Sequence, residues 1–173
     1  IVIVYDRRVK RLRRKRDEYR EIIEQSLRTF ANIIDAKDRY TSGHSERVAI
    51  YSREIAKRME LSEDDVERIY YIAFLHDIGK IGVKDSILLK NGSLSNEEFE
   101  EIKKHPSEGE RILKEYSPFK YLLPIIRQHH ERYDGRGYPD GLRDNEIDIG
   151  ARIIAVADSF DAMISNRAYR KGL

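Results

Sequence analysis

The five histidines of the chain stand at positions 44, 76, 105, 129 and 130. His76 is followed at once by Asp77, inside Leu75-His76-Asp77-Ile78-Gly79-Lys80, and Asp158 interrupts the apolar run from Ile154 to Phe160. Imidazole and carboxylate are the usual ligands of first-row divalent metals. On a helix, adjacent His and Asp side chains point about 100° apart, so both can reach one pocket. There one side chain holds a single metal while the carboxylate bridges to a second. Each histidine alone reads most simply as a buried polar group satisfied by a hydrogen bond. Together that reading weakens, because no histidine is spent outside these clusters. Asp158 is costly to bury as a charge unless it is paired or bound to a metal. Its plainer alternative is a hydrogen-bonded carboxylate on a helix surface.

The stretch Leu75–Lys80, followed by His129-His130-Glu131-Arg132-Tyr133-Asp134-Gly135-Arg136-Gly137-Tyr138-Pro139, resembles the HD-GYP family. These are metal-dependent phosphodiesterases of cyclic di-GMP within the HD hydrolase superfamily, and they act in bacterial signalling. The resemblance runs from about Ile33 to the end of the chain. Carried over residue by residue, it implies the ligands His44, His76, Asp77, His105, His129, His130 and Asp158. Asp77 would bridge two divalent ions, with Fe or Mn as the metals the family favours. Two metals about 3.5–4 Å apart polarise a phosphodiester, hold the attacking hydroxide and stabilise the leaving oxygen.

In the family the lysine matching Lys80 faces the scissile phosphate. The alternative is a C-terminal lysine facing a helix dipole. Arg167 and Arg170 match a segment that reaches substrate phosphates and guanines, work that suits the planar guanidinium; otherwise they belong to a solvated tail. The loop residues Asp134, Gly135, Gly137, Tyr138 and Pro139 make tight turns. A structural role for the loop stands beside a docking role for a diguanylate cyclase (GGDEF) partner.

Two departures from the family matter. Some members bind a third metal through a glutamate four residues before the first histidine; here that position is Tyr40. Two metals are therefore expected, with the linear product pGpG accumulating ahead of GMP. Family domains also continue beyond the segment at Arg170, so terminal helices are expected to be missing.

The elements that must position these residues read as helices. From Val9 to Ile33 a heptad-like series (Val9, Leu12, Arg16, Tyr19, Ile23, Ser26, Phe30, Ile33) marks one long helix. It is read as a signalling coil that makes a homodimer, or as a helix packed on the domain through Ile23, Leu27, Phe30 and Ile34. Residues 1–5 form a short, mostly β-branched run that precedes the basic run 7–16. They fit the last strand of an upstream sensor or the stub of a membrane helix, with the basic run on its cytoplasmic side.

Further on, Val48, Tyr51, Ile55 and Met59 form one buried stripe, and Val66, Ile69, Tyr70, Ala73 and Phe74 another, which carries His76-Asp77 at its C-terminal end. Capping boxes are expected at Ser62, Ser95 and Ser107. Residues 87–93 read as loop, 121–130 as a helix ending in the His pair, 131–145 as loop, and 150–164 as an apolar helix. The expectation is an all-α bundle at 33–173, preceded by a linker or signalling helix at 1–32, with ligands donated by several helices.

Composition excludes several classes. No cysteine is present, so disulfides and thiolate metal sites are ruled out. Net charge is +2, which gives no global field for nucleic acid, and none is expected as a partner. The leading reading is a cytoplasmic output domain that hydrolyses cyclic di-GMP, with Asp77 and Lys80 at the chemistry. The alternatives are a hydrolase of another cyclic dinucleotide such as cyclic GMP-AMP, and a non-catalytic adaptor for a nucleotide or a cyclase.

Overall fold

A computed structural model describes residues 2–38, 42–115 and 120–165, and among these every regular element is a helix. Tyr40, Ser117, Pro118, Arg167 and Arg170 lie outside the described residues.

The first helix, α1 (Val2–Lys37), includes residues 2–5, so the strand reading of that segment is overturned. Residues 32 and 33 lie inside this continuous helix. Its C-terminal third has two faces. Leu27, Ala31 and Ile34 are buried against the bundle, whereas Ile23 and Phe30 are 46% and 53% exposed. The expected packing stripe is thus half right. The heptad residues Leu12, Tyr19, Ile23, Phe30 and Ile33 all face outward. No described helix is long and apolar enough to cross a membrane.

A turn at Gly43, with φ +68°, starts α2 (His44–Arg58). The packing of α2 rests on Val48, Ala49 and Ala56; Met59, past its end, is 47% exposed and leaves the expected stripe. Ser62 caps α3 (Glu63–Ala73) by accepting from the Asp65 amide, as expected. The Asp65 carboxylate, however, accepts from the Ser62 hydroxyl, so the box is not reciprocal.

After Ala73 the α-helical ladder stops. Leu75 N donates to Ile72 O and His76 N to Ala73 O, so the chain tightens into turns. His76 and Asp77 therefore sit in a turn between α3 and a 3-10 segment, Ile78–Gly82, and not on a helix end. Neither Gly79 nor Gly82 terminates α3.

Of residues 87–93, expected as loop or turn, the first two belong to a single helical turn, α4 (Asp85–Leu88). Next comes α5 (Asn96–Ile102), whose reciprocal capping box at Ser95 and Glu98 is formed as the sequence suggests. In α6 (His105–Leu113) Pro106 occupies the first turn, where its missing N–H costs nothing. Ser107 is inside this helix, and no cap forms there. The helix before the His pair is shorter than expected: α7 is Leu123–Gln128, and His129 and His130 follow in a turn. The stretch after it is loop, with a bridge between Asp134 and Arg143 and a 3-10 turn at Asp144–Glu146.

The last described helix, α8 (Ile149–Ile164), is apolar because one face, Ile153, Ile154 and Ala157, lies in the core. Val156, Phe160, Met163 and Ile164 are exposed. The core runs between α2, α3, α7 and α8, with Phe74, Ile126 and Ile154 fully buried. One close crossing sets the site. A Cβ on Gly79 would collide with the backbone of His105 and Gly109, so only glycine lets the 3-10 segment lie against α6.

Candidate metal centre

Seven side chains from five parts of the fold meet at one end of the bundle. Two donor groups form, each with its ligand atoms within 4.8 Å of one another: Asp77, His105, His129 and His130, and His44, His76 and Asp77. Asp77 belongs to both. Its Oδ1 lies 3.2 Å from His105 Nε2 and 4.0 Å from His129 Nε2. Its Oδ2 lies 3.4 Å from His76 Nε2 and 2.7 Å from Lys80 Nζ. Asp158 joins the second group, with Oδ1 3.3 Å from His44 Nε2.

The local turns explain why the imidazoles converge. His76, His105 and His129 each place Nδ1 against the carbonyl oxygen three residues back: Ala73 at 2.8 Å, Ile102 at 2.8 Å and Ile126 at 2.6 Å. A carbonyl can only accept, so Nδ1 must carry the hydrogen and Nε2 presents a lone pair to the site. His44 is held differently. Its Nδ1 is 2.8 Å from Asp161 Oδ2, and Arg47 Nε donates to the other oxygen of that carboxylate at 2.6 Å.

This donor set fits divalent cations. His76 Nε2 is buried and makes no hydrogen bond. His105 Nε2 and His129 Nε2 stand 3.2 Å apart, two lone pairs facing each other and the Asp77 carboxylate. Without a cation among them these groups repel; with one, every lone pair has a partner.

Charge differs across the site. Burial, and then the neighbouring His130 and His105, hold the His129 imidazole well below its usual range. His130 is pulled down to about 4 by burial first and His105 next. Burial also disfavours a charged His44, but hydrogen bonds to Asp158 and Asp161 outweigh it and push that pKa up to about 9. Asp77 stays ionised: burial opposes its charge, and Lys80, His76 and His105 overcome it. Lys80 likewise pays a desolvation cost, which Asp77 and Asp38 more than offset, so it remains protonated above the ordinary lysine range.

Lys80 projects into a cleft of about 250 Å³ whose lining includes Asp38, Lys90, His130, Tyr138 and Asp158. Its Nζ is 3.3 Å from Asp38 Oδ2. The role of meeting the carbonyls at the end of the 3-10 segment, the alternative weighed for Lys80, is taken by another residue. Lys37 Nζ donates to the carbonyls of Lys80, Ile81 and Val83 at 3.3, 2.6 and 2.7 Å.

The glycine-rich loop forms a wall of the cleft. Tyr138 stacks on His130 with ring centroids 4.9 Å apart, and the Tyr138–Pro139 bond is cis. Gly135 has φ +74°, and Gly137 lies on the backbone of Glu131 and Arg132, where a Cβ would collide. Asp134 pairs with Arg132 and accepts from the Arg136 amide.

Sequence reasoning missed three residues here. Buried Glu131 accepts from the amides of Asp140, Gly141 and Leu142 at 2.6, 3.1 and 3.0 Å, closing the loop on itself. Asp161 orients His44; a signal existed, since it lies one helical turn after Asp158 on the same face. Lys37 carried no signal, because a lysine at a helix end is ordinary.

The fold and site define an all-helical domain with a cluster of histidine and aspartate donors drawn from several turns. Residues 28–173 match the HD domain, and the chain belongs to that family, in its HD-GYP branch. A cyclic di-GMP phosphodiesterase of Thermotoga maritima is 48% identical over 155 residues, covering 88% of this chain and 42% of that protein. The 3'3'-cGAMP-specific phosphodiesterase 3 of Vibrio cholerae is 44% identical over 157 residues, 91% of this chain and 34% of that protein. The cyclic di-GMP phosphodiesterase response regulator RpfG of Xanthomonas campestris pv. campestris is 41% identical over 163 residues, 93% of this chain and 43% of that protein. The chain thus spans between a third and a half of the length of these relatives.

Proposed function

We propose that this domain is a metal-dependent phosphodiesterase that opens cyclic di-GMP to pGpG. The observation that carries this reading is the sharing of Asp77 between two donor groups. His105, His129 and His130 with Asp77 would hold one divalent ion; His44, His76 and Asp158 with Asp77 would hold the other. When bound, such ions supply Lewis acidity for the phosphoryl oxygens and lower the pKa of water. The chain's own groups do the rest. The Nδ1 hydrogen bonds keep each Nε2 aimed inward, and the Asp77 carboxylate offers one oxygen to each side. Lys80 Nζ meets the phosphate charge in the cleft, where a preorganised ammonium stabilises developing charge. Tyr138, stacked on His130, limits the cleft beside that phosphate.

Fe or Mn suits this mixture of imidazole and carboxylate. Arg167 and Arg170 are assigned to substrate phosphates and bases on the family pattern alone. The loop at 134–139 is exposed at Asp134 and Arg136 and fits a cyclase partner of the GGDEF type. The outward heptad stripe of α1 fits a parallel homodimer, with residues 1–32 as the signalling segment in a cytoplasmic setting.

A second reading changes only the substrate. The relative specific for 3'3'-cGAMP is nearly as similar as the cyclic di-GMP enzyme, so cyclic GMP-AMP is the competing ligand. The test is turnover of both nucleotides by protein loaded anaerobically with Fe(II) or Mn(II), with products separated by chromatography. Formation of pGpG with little GMP is expected. Faster cleavage of cyclic GMP-AMP would transfer the assignment to the second substrate. No turnover of either, with two metals bound, would leave the adaptor reading in its place.

A further inference from the structure

Three residues at and just past the end of α1, Asp35, Lys37 and Asp38, make contacts that reach the site. Asp35, buried, accepts from the Ser45 hydroxyl at 2.7 Å and from its amide at 3.4 Å, one residue beyond His44. Asp38 pairs with Lys80 Nζ. Between them, Lys37 places its ammonium on the carbonyls of Lys80, Ile81 and Val83, with the Asp85 carboxylate 3.6 Å away. A lysine ammonium has three hydrogens, and here all three have an acceptor. Carbonyls at the end of a short helix form its negative pole, and here Lys80 O also accepts from the Val83 amide at 3.0 Å, so the turn is closed by its own backbone and by Lys37.

The consequence lies in what Lys80 is left to do. A lysine in the last turn of a helix can fold back onto those same carbonyls. In this protein its own carbonyl is already engaged by Lys37, and its side chain points the other way, to Asp77 and Asp38. The 3-10 segment is also pressed against α6 at Gly79, so it has few other ways to settle.

We propose that Lys37 is a positioning residue for Lys80: its ammonium holds the 3-10 turn that carries Lys80 and thereby links the last turn of α1 to the cleft. This rests on the phosphodiesterase reading only in that Lys80 meets the substrate phosphate. A displacement of α1 along its axis strains the Lys37 contacts together with those of Asp35 and Asp38, and the turn bearing Lys80 moves with them. Since the outward face of α1 carries an unused heptad stripe, events on that helix are transmitted to the lysine in the cleft.

The test compares wild type, Lys37→Met, Lys37→Arg, Lys80→Met and the double Lys37→Met/Lys80→Met variant of the whole chain. Turnover and amide hydrogen exchange over residues 78–83 are both measured. Lys37→Met is expected to lower kcat about 10-fold, as for loss of a positioning contact, with metal content unchanged. In the Lys80→Met background the same change is expected to do almost nothing, because contacts acting through one group are not additive. Lys37→Arg, which keeps the charge and the donors, should recover most of the rate. Exchange at the Lys80 and Val83 amides should quicken about 10-fold in Lys37→Met and stay near wild type in Lys37→Arg. Equal rate losses in both backgrounds would overturn the proposal. So would unchanged exchange in Lys37→Met, whether or not the chain turns over nucleotide. A wild-type chain with no turnover counts against the phosphodiesterase reading alone, since the exchange result still decides whether Lys37 holds the turn.

Discussion

The two donor groups share Asp77 but differ in how His44, in one of them, is held. In the group of His105, His129 and His130, two of the imidazoles are held by backbone carbonyls three residues earlier. In the other, His76 is held the same way on Ala73 O, but His44 is held by the side chain of Asp161, 117 residues away in sequence, with Arg47 on the same carboxylate. The first arrangement comes from the turn that carries the histidine, so no single side-chain change removes it. The second depends on long-range packing of α8 on α2 and can be cut by one substitution. His130 is pulled down to about 4. His44, between two carboxylates, is pushed up to about 9. One group offers three imidazoles beside Asp77 and the other two imidazoles with Asp158, and the two are expected to differ in affinity for the same ion.

The largest effect should come from removing what the two halves share. Asp77→Ala is expected to reduce turnover by at least about 10³-fold, at the upper end for loss of one catalytic electrostatic contact. It should also lower bound metal by elemental analysis; near-normal metal content and rate would break the bridging assignment.

Metal removal should follow in size. Where the ions are present at about 100 times their dissociation constant, each contributes about 2.7 kcal/mol to stability. Chelation should then lower the melting temperature by about 5–10 °C per ion for a chain of this length. A melting curve indifferent to chelator would contradict the reading of the facing Nε2 lone pairs.

A smaller and one-sided effect is expected from Asp161→Asn. Loss of the carboxylate behind His44 should weaken one ion by about 10–100-fold and leave the other nearly untouched. Stepwise metal titration reads this directly, and equal weakening of both would erase the distinction between the halves.

Least affected of all should be the site in Phe30→Glu. That side chain is 53% exposed on α1, so folding stability should change by no more than about 0.5 kcal/mol. Its effect is expected in self-association, measured by sedimentation. A monomer in both variants would remove the dimer reading while leaving the donor groups as they are.

The sequence by itself marked the candidate metal ligands that the structure brings together. The histidines are only five, their side chains have the needed lone pairs, and the chain spends none elsewhere. Helical periodicity was legible too, since buried stripes such as Val66, Ile69, Tyr70 and Ala73 repeat at the helical period. So was the Ser95 cap, whose partner is three residues away. What the tertiary structure decided was everything fixed by contacts distant in sequence. Placing His76 and Asp77 in a turn required the close approach of Gly79 to α6. The roles of Asp161 and Lys37 arise where α8 meets α2 and where α1 ends against the 3-10 segment. The sorting of α1 into a buried face at Leu27, Ala31 and Ile34 and an outward heptad stripe has the same origin. Local spacing is set by covalent geometry and can be read along the chain. Which of two apolar stripes is buried, and which lysine meets which carbonyl, depends on the surfaces that folding brings together.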